Sequence, residues 1–330
     1  MTRHPKLAFA IPLHNEEAVL AELVRRVRAV LDAIPGGPHS ALFVDDGSTD
    51  RTLEGLEQAA RQDRRVQVIS LSRNFGHQAA LTAALDFVDG DVVLLMDGDL
   101  QDPPESAPQF IQKYLEGYDV VYAQRRHRKE SWPLRACYFL FYRLLAKLSD
   151  VYLPLDAGDF GLISRRVVEQ LRRLPEHHRY LRGLRSWVGF RQIGLEVERS
   201  GRRAGKSKYS FLRLLKLASD GIFAFSIVPI RAAALLGVVT IILAGCFTVY
   251  ALYSKLFLDR SPRGFTALTL LVVFLSGVLL FFLGIIGEYV GRVYEEVKQR
   301  PMYIVKETIH VGRDLRDEND LLAAANLSGH

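Results

Sequence analysis

Asp97 and Asp99 stand one residue apart, directly after the apolar run Val92–Met96. A short, uninterrupted apolar run of this kind reads as a strand of a parallel sheet, buried on both faces. Two acids at its C-terminal edge repel each other unless a cation sits between them. Hard oxygen ligands at the open end of an α/β sheet suit Mg²⁺ or Mn²⁺ holding a diphosphate. An Asp-x-Asp by itself is a weak sign, since acidic turns are common. The case strengthens because other chemistry-bearing residues also follow apolar runs: Pro12 to Glu17, Asp45 to Asp50, Arg73 to Gln78, Asp97 to Asp102, and Arg125.

Strand patterns at Leu7–Pro12, Ala41–Val44, Val66–Leu71, Val92–Met96 and Asp119–Ala123 alternate with helical patterns at Glu16–Leu31, Asp50–Arg61, Gln78–Val88 and Pro108–Tyr118. Ser48 or Asp50 is placed to cap the second helix. Alternation at this spacing predicts a mostly parallel, doubly wound α/β sheet with ligands beyond the strand C-termini. Asp45-Asp46-Gly-Ser-Thr-Asp50 is also sound turn and cap chemistry without any ligand.

The chain has 330 residues and a net charge of +6, from 43 Lys+Arg against 37 Asp+Glu. Its two cysteines, Cys137 and Cys246, give no disulfide framework. No apolar leader with a small-residue cleavage site opens the sequence, so secretion is not expected. Two segments carry no charge: Ala232 to Ser254 and Gly264 to Gly287. At about 1.5 Å per helical residue, each exceeds the roughly 30 Å hydrocarbon core of a bilayer. The short link between them predicts a membrane hairpin with both chain ends on one side. Residues 199–213 hold six basic residues and no acid, which places the termini in the cytoplasm. Pro133–Asp150 and Phe211–Ile227 are amphipathic and aromatic-rich, and read as helices lying in the membrane interface. The basic residues gather at the membrane junction, where lipid phosphates account for them, so a lipid bilayer and no nucleic acid is the expected partner.

Ile11-Pro-Leu-His-Asn-Glu-Glu17, Val44-Asp-Asp-Gly-Ser-Thr-Asp50, Arg73-Asn-Phe-Gly-His-Gln78 and Asp97-Gly-Asp-Leu-Gln-Asp-Pro-Pro-Glu105 resemble glycosyltransferase family 2 of the GT-A fold. The two spans and Asp156-Ala-Gly-Asp-Phe-Gly161 resemble its polyisoprenyl-phosphate group, which includes bacterial undecaprenyl-phosphate glucosyltransferases and dolichyl-phosphate mannose synthases. The resemblance covers about residues 6–305. It implies a cytoplasmic GT-A domain over 1–210, including an amphipathic helix at about 133–150, and a juxtamembrane helix over 211–227. A hairpin over 228–290 follows, with spans at about 231–253 and 265–287, and then a cytoplasmic tail over 291–330, poorly ordered after Lys306. The implied location is the inner (plasma) membrane. The implied partners are a nucleotide-sugar donor, UDP-hexose before GDP-hexose, a divalent metal (Mg²⁺ or Mn²⁺) and polyprenyl phosphate; the resemblance is also compatible with a homo-oligomer.

Carried over residue by residue, the resemblance puts Pro12, Asn15, Glu16, Asp45 and Asp46 at the nucleotide and Gln78 at the donor. Asp97 and Asp99 would hold the metal and the donor diphosphate, flanked by Gln101 and Asp102. Asp159, or Asp156, resembles the family's proposed base. Its structural alternative is an ion pair with Arg165 or Arg166. The segment Tyr180-Leu-Arg-Gly183 with Trp187 resembles the family's segment near the acceptor. A hydroxyl acceptor needs a general base, whereas a phosphate monoester, with a second pKa near 6, is already a largely dianionic nucleophile. What the phosphate needs is cations, and Arg125, Arg128, Arg202 and Lys208 are the candidates. Two other readings remain: transfer to a lipid hydroxyl, for which Asp159 would be indispensable, and a non-catalytic nucleotide-sugar-binding scaffold in the membrane.

Overall fold

A computed structural model describes residues 4–125, 157–176, 179–197 and 264–311, with scattered positions between 236 and 257. The chain divides into two compact units. One comprises residues 1–142, 151–209 and 301–330, and the other residues 143–150 and 210–300.

The first unit is built on an eight-stranded sheet in the order β7-β5-β6-β4-β1-β2-β3-β8. Its strands are β1 (Leu7–Leu13), β2 (Ser40–Asp45), β3 (Val66–Leu71), β4 (Val92–Leu95), β5 (Val120–Arg125), β6 (Ala157–Ser164), β7 (Gln192–Val197) and β8 (Val305–Ile309). The central strands β1, β2 and β4 are buried along their whole length, as expected for strands covered on both faces. Side chains alternate across the pleat. Leu7, Phe9 and Ile11 of β1 join one core cluster with Leu20, Leu23 and Val27 of α1 (Glu17–Ala33), Leu56 of α2 (Thr52–Gln62) and Phe110 of α4 (Ala107–Leu115). Helix α3 (His77–Phe87) packs on β1 and β2, and α5 (Arg165–Arg173) packs on β4 and β6. A short helix, α6 (Leu181–Trp187), lies against β6.

The sheet is mixed but mostly parallel, as expected: six of its eight strands run in one direction, and β6 and β8 run against them. The pairs β1–β2, β1–β4, β2–β3 and β5–β7 are parallel, while β4–β6, β5–β6 and β3–β8 are antiparallel. The reason is β6, formed by the segment that begins at Ala157. It inserts antiparallel between β4 and β5, so its N-terminal end enters the sheet at the edge where β4 leaves. A correction concerns the chain after Lys298. Residues 305–309, expected at the start of a loose tail, pair with β3 as the edge strand β8, and the Tyr303 hydroxyl donates to Asp86 at 2.8 Å.

In the second unit, helix α7 (Phe265–Lys298) is 34 residues long, about 51 Å at 1.5 Å per residue. Among the described residues it is the one helix long and apolar enough to cross a membrane; the qualifying stretch is Phe274–Lys298, none of it buried in protein. The described positions between 236 and 257 are helical, but most of the expected first span lies outside the described residues. So do both expected interfacial helices, 133–150 and 211–227.

Candidate active site

The C-terminal ends of β1, β2, β3 and β4 meet through short loops that hold one another. The loop after β1 is tied to the loop after β2: the Asp46 amide donates to the Leu13 carbonyl at 2.8 Å, Asn15 N–H donates to Ser48 Oγ at 3.0 Å, and Asn15 Oδ1 accepts from Thr49 N–H at 2.8 Å. Asn15 adopts φ of 55°, a left-handed conformation that asparagine tolerates better than most residues. Asp50 accepts from the N–H groups of Thr52 and Glu17 at 3.0 and 3.2 Å. It thereby accepts from the first N–H of α2 and ties in the start of α1, but the N-cap position of α2 is Arg51, with no side-chain capping bond, so neither expected residue is the N-cap.

Asp46 is 3 % exposed, and its two oxygens accept from the amides of Phe75 and Gly76 at 2.7 and 2.9 Å. It therefore shapes the loop after β3. The two loops are pressed together at Gly47, where φ is +61° and a β-carbon would fall 2.4 Å from the carbonyl carbon of Arg73. Asp45, 1 % exposed, accepts from Ser48 N–H and from the Ser70 hydroxyl. Pro12 is buried within β1, paired with Val44. Glu16 gives its N–H to Thr52 Oγ1 at 2.9 Å. Gln78, in the first turn of α3, accepts from Leu181 N–H at 3.2 Å.

The ends of β4 and β6 carry a different cluster. Leu95 pairs with Gly161 in antiparallel register, so continuing two residues beyond the pair sets Asp97 opposite Asp159. His77, which opens α3, stands between them: its Nε2 lies 3.5 Å from Asp97 Oδ1 and 3.8 Å from Asp159 Oδ2. Asp159 accepts from Arg182 Nε and Nη2, each at 2.7 Å. Arg165 and Arg166, the partners anticipated for Asp159, pair instead with Asp89 and Asp119. Both sit on α5 at the opposite end of β6. Asp99 Oδ1 accepts from Gln101 N–H at 3.1 Å, and Asp102 is buried.

The acidities in this cluster diverge. Burial raises the Asp97 carboxyl to about 6, partly offset by His77, with Asp159, Asp102 and Asp99 adding to the rise. Burial works against ionised Asp159 too, but the Arg182 charge and hydrogen bonds outweigh it and hold the carboxyl far below the usual carboxylate range. Burial also disfavours a charged His77, yet the nearby carboxylates of Asp159 and Asp97 leave its pKa raised. Arg185, 3 % exposed, donates to the Gly158 carbonyl at 3.2 Å, and burial pushes its pKa down to about 10.

Asp97 and Asp99 offer oxygen ligands only, and burial, with Asp159, Asp102 and Asp99 close by, raises the pKa of Asp97 in spite of His77. Among the described residues no group of three or more His, Cys, Asp and Glu is gathered to hold a metal. A divalent cation fits this pair if it takes its remaining ligands from a phosphate and water, as Mg²⁺ commonly does. The sequence gives no role of its own to His77. His77 was in view inside the Arg73–Gln78 motif, but only its reach across to Asp159 sets it apart. Arg125 ends β5 at the same sheet edge. Asp156, Arg128, Arg202 and Lys208 lie outside the described residues.

A mixed α/β sheet with an Asp-x-Asp pair at its C-terminal edge is suited to hold a diphosphate through a divalent cation, and the comparisons with known proteins make the chain a glycosyltransferase. The sequence pattern of Glycosyl transferase family 2 matches residues 8–172, and the chain belongs to that family. It is 42 % identical over 309 residues to the uncharacterized glycosyltransferase YkcC of Bacillus subtilis, covering 93 % of this chain and 95 % of that one. It is 36 % identical over 304 residues to the SfII prophage-derived bactoprenol glucosyl transferase of Shigella flexneri, covering 92 % and 98 %. Among solved structures, the mannosyltransferase PcManGT of Pyrobaculum calidifontis, in complex with GDP-Man and Mn²⁺, superposes with a TM-score of 0.47 at 18 % identity, over 68 % of this chain and 64 % of that one.

Proposed function

We propose that the protein is an inverting, membrane-bound glycosyltransferase that moves a hexose from a nucleotide sugar onto polyprenyl phosphate at the cytoplasmic face of the membrane. The observation that carries this reading is the similarity along nearly the full length to proteins named bactoprenol glucosyl transferase. It makes polyprenyl phosphate the acceptor class and UDP-glucose the first donor to try. Asp97 and Asp99 would hold a divalent metal, Mg²⁺ or Mn²⁺, that serves the donor diphosphate, with Pro12, Asn15, Glu16, Asp45, Asp46, Gln78 and Gln101 around the donor. Arg125, Arg128, Arg202 and Lys208 serve the acceptor phosphate. When bound, the metal supplies positive charge to the departing diphosphate.

A phosphate oxygen of the lipid attacks the anomeric carbon from the face opposite the nucleotide. A carbon–oxygen bond forms there as the bond from the anomeric carbon to the β-phosphate oxygen breaks. The bonding pair leaves with the nucleoside diphosphate. Two dianions become a nucleoside diphosphate trianion and a phosphodiester monoanion, so charge balances and no proton is released.

Strand β8 supports an even number of membrane crossings. It pairs with β3, so the chain after α7 rejoins the sheet it left before residue 210. A chain that crosses a bilayer in α7 must cross it once more between those points, and the uncharged segment Ala232 to Ser254 supplies the second crossing.

The test is purified full-length protein in detergent with Mn²⁺, undecaprenyl phosphate and a panel of radiolabelled nucleotide sugars. Label entering the organic phase from one donor, and lost in Asp97→Ala/Asp99→Ala, is the expected result. Transfer to diacylglycerol and none to undecaprenyl phosphate would replace the acceptor, and no transfer from any donor would leave the scaffold reading.

A further inference from the structure

We infer that Arg182 is a ligand of the acceptor phosphate and that Asp159 is the residue that positions it, with no proton to accept. This rests on the polyprenyl-phosphate reading above.

The pair stands beside the reacting centre. His77 lies 3.5 Å from Asp97 and 3.8 Å from Asp159, so one imidazole separates the proposed metal carboxylates from the Asp159–Arg182 pair. The Asp159 side chain is 10 % exposed, that of Arg182 29 % and that of His77 45 %. The carboxylate is thus the inner member and the guanidinium the outer, more accessible one.

The contact itself is a fork. Nε and Nη2 of Arg182 each donate at 2.7 Å to a different oxygen of Asp159. Such a bidentate pair fixes the plane of the guanidinium as well as its place. With both oxygens engaged in this way, Asp159 is arranged to hold a cation. The displacement gives it nothing else to do, since the phosphate dianion attacks without releasing a proton.

The charge around Asp159 also points outward. Behind it lies Arg185, buried, with Nη2 on the Gly158 carbonyl and Nε without a hydrogen-bond partner. One carboxylate therefore faces two guanidinium groups, and this flank of the site is positive while the Asp97–Asp99 flank is negative. An incoming dianion needs that asymmetry. It is drawn to the Arg182 side and kept from the two acids, and a planar guanidinium matches phosphate geometry.

The test uses the full-length protein in detergent, with undecaprenyl phosphate, Mn²⁺ and radiolabelled UDP-glucose. Arg182→Ala is expected to raise the KM for undecaprenyl phosphate by about tenfold or more, the worth of a charged hydrogen bond. It should leave the KM for UDP-glucose within about twofold, and Arg182→Lys should recover part of the loss. Asp159→Asn should raise the same acceptor KM while kcat falls less than about tenfold. The inference is overturned if Asp159→Asn lowers kcat by about 10²–10⁴-fold, the range of a lost general base, with the acceptor KM unmoved. An unchanged acceptor KM in Arg182→Ala overturns it equally. Should Arg182→Ala melt below assay temperature, Arg182→Gln and Arg182→Lys carry the same comparison. A wild type that glycosylates diacylglycerol and not undecaprenyl phosphate removes the acceptor reading itself, and is recognised before any variant is made.

Discussion

The loops after β2 and β3 and the ends of β4 and β6 both gather carboxylates at one sheet edge, but they treat the charge in opposite ways. Asp46 is buried with both oxygens on backbone amides, and Asp45 is buried on a backbone amide and a serine hydroxyl. Those partners belong to the fold itself. Asp97 is held beside three other acids and one imidazole, and burial raises its pKa to about 6. The first pair gives rigidity. The second stores unfavourable charge that a divalent cation can relieve. An acid at a strand end is thus only a candidate, and what donates to it decides whether it builds the loop or waits for a ligand.

Asp97→Ala and Asp99→Ala test the second half of this contrast and should give the largest effect. Loss of the charge that stabilises the departing diphosphate is worth several kcal/mol, so kcat should fall by about 10³-fold or more. The melting temperature in EDTA should not fall. Mn²⁺-dependent transfer that survives in either variant would move the metal away from this pair. Asp46→Ala tests the first half. It leaves the Phe75 and Gly76 amides without their acceptor and should cost about 2–3 kcal/mol of stability, visible in a thermal melt without substrate. Asp46→Asn keeps one acceptor oxygen and should cost about half as much. An Asp46→Ala protein that melts like wild type yet loses donor binding would show that Asp46 serves the nucleotide directly, and the contrast would fail there.

The central sheet was legible because its strands are continuous apolar runs. Val66–Leu71 coincides with β3, and the runs at β1, β2 and β4 differ from the strands by a residue or two. β6 was not legible. Gly158 and Gly161 break its pattern, and the gap at Gly161 is a packing need: a β-carbon there would fall 2.6 Å from the Val121 carbonyl oxygen. β8, Val-Lys-Glu-Thr-Ile, looks like the start of a polar tail because an edge strand keeps charge on its open side. At the site, the sequence marks which acids end strands but not their partners. Seven arginines follow Asp159 within 26 residues, Arg165, Arg166, Arg182 and Arg185 among them. Sheet register and the packing of α6 select Arg182, and neither is local. The partners of Asp46 are equally remote: its donors lie 29 and 30 residues away, on the loop after β3.

The smallest effect expected is the most discriminating, because its sign is unusual. Replacing a buried acid commonly destabilises, but Asp97→Asn should stabilise the metal-free protein at pH 7.5. The folded-state pKa is raised to about 6 from an ordinary value near 3.9. The folded protein therefore holds a proton on Asp97 that the unfolded chain has released across that interval. Linkage then requires wild-type stability to fall as pH rises from about 4 through 6 and to stay lowered above it. A shift of about two units corresponds to about 3 kcal/mol. The side chain is 31 % exposed, and solvent screening brings the expected gain to about 1 kcal/mol. Asparagine keeps the shape and removes the charge, so its advantage should be present at pH 7.5 in EDTA and vanish near pH 4. Saturating Mn²⁺ should reverse the order by stabilising the wild type alone. If Asp97→Asn melts below wild type in EDTA at pH 7.5, then Asp97 is as structurally satisfied as Asp46, and the two flanks of the site do not differ in the way described.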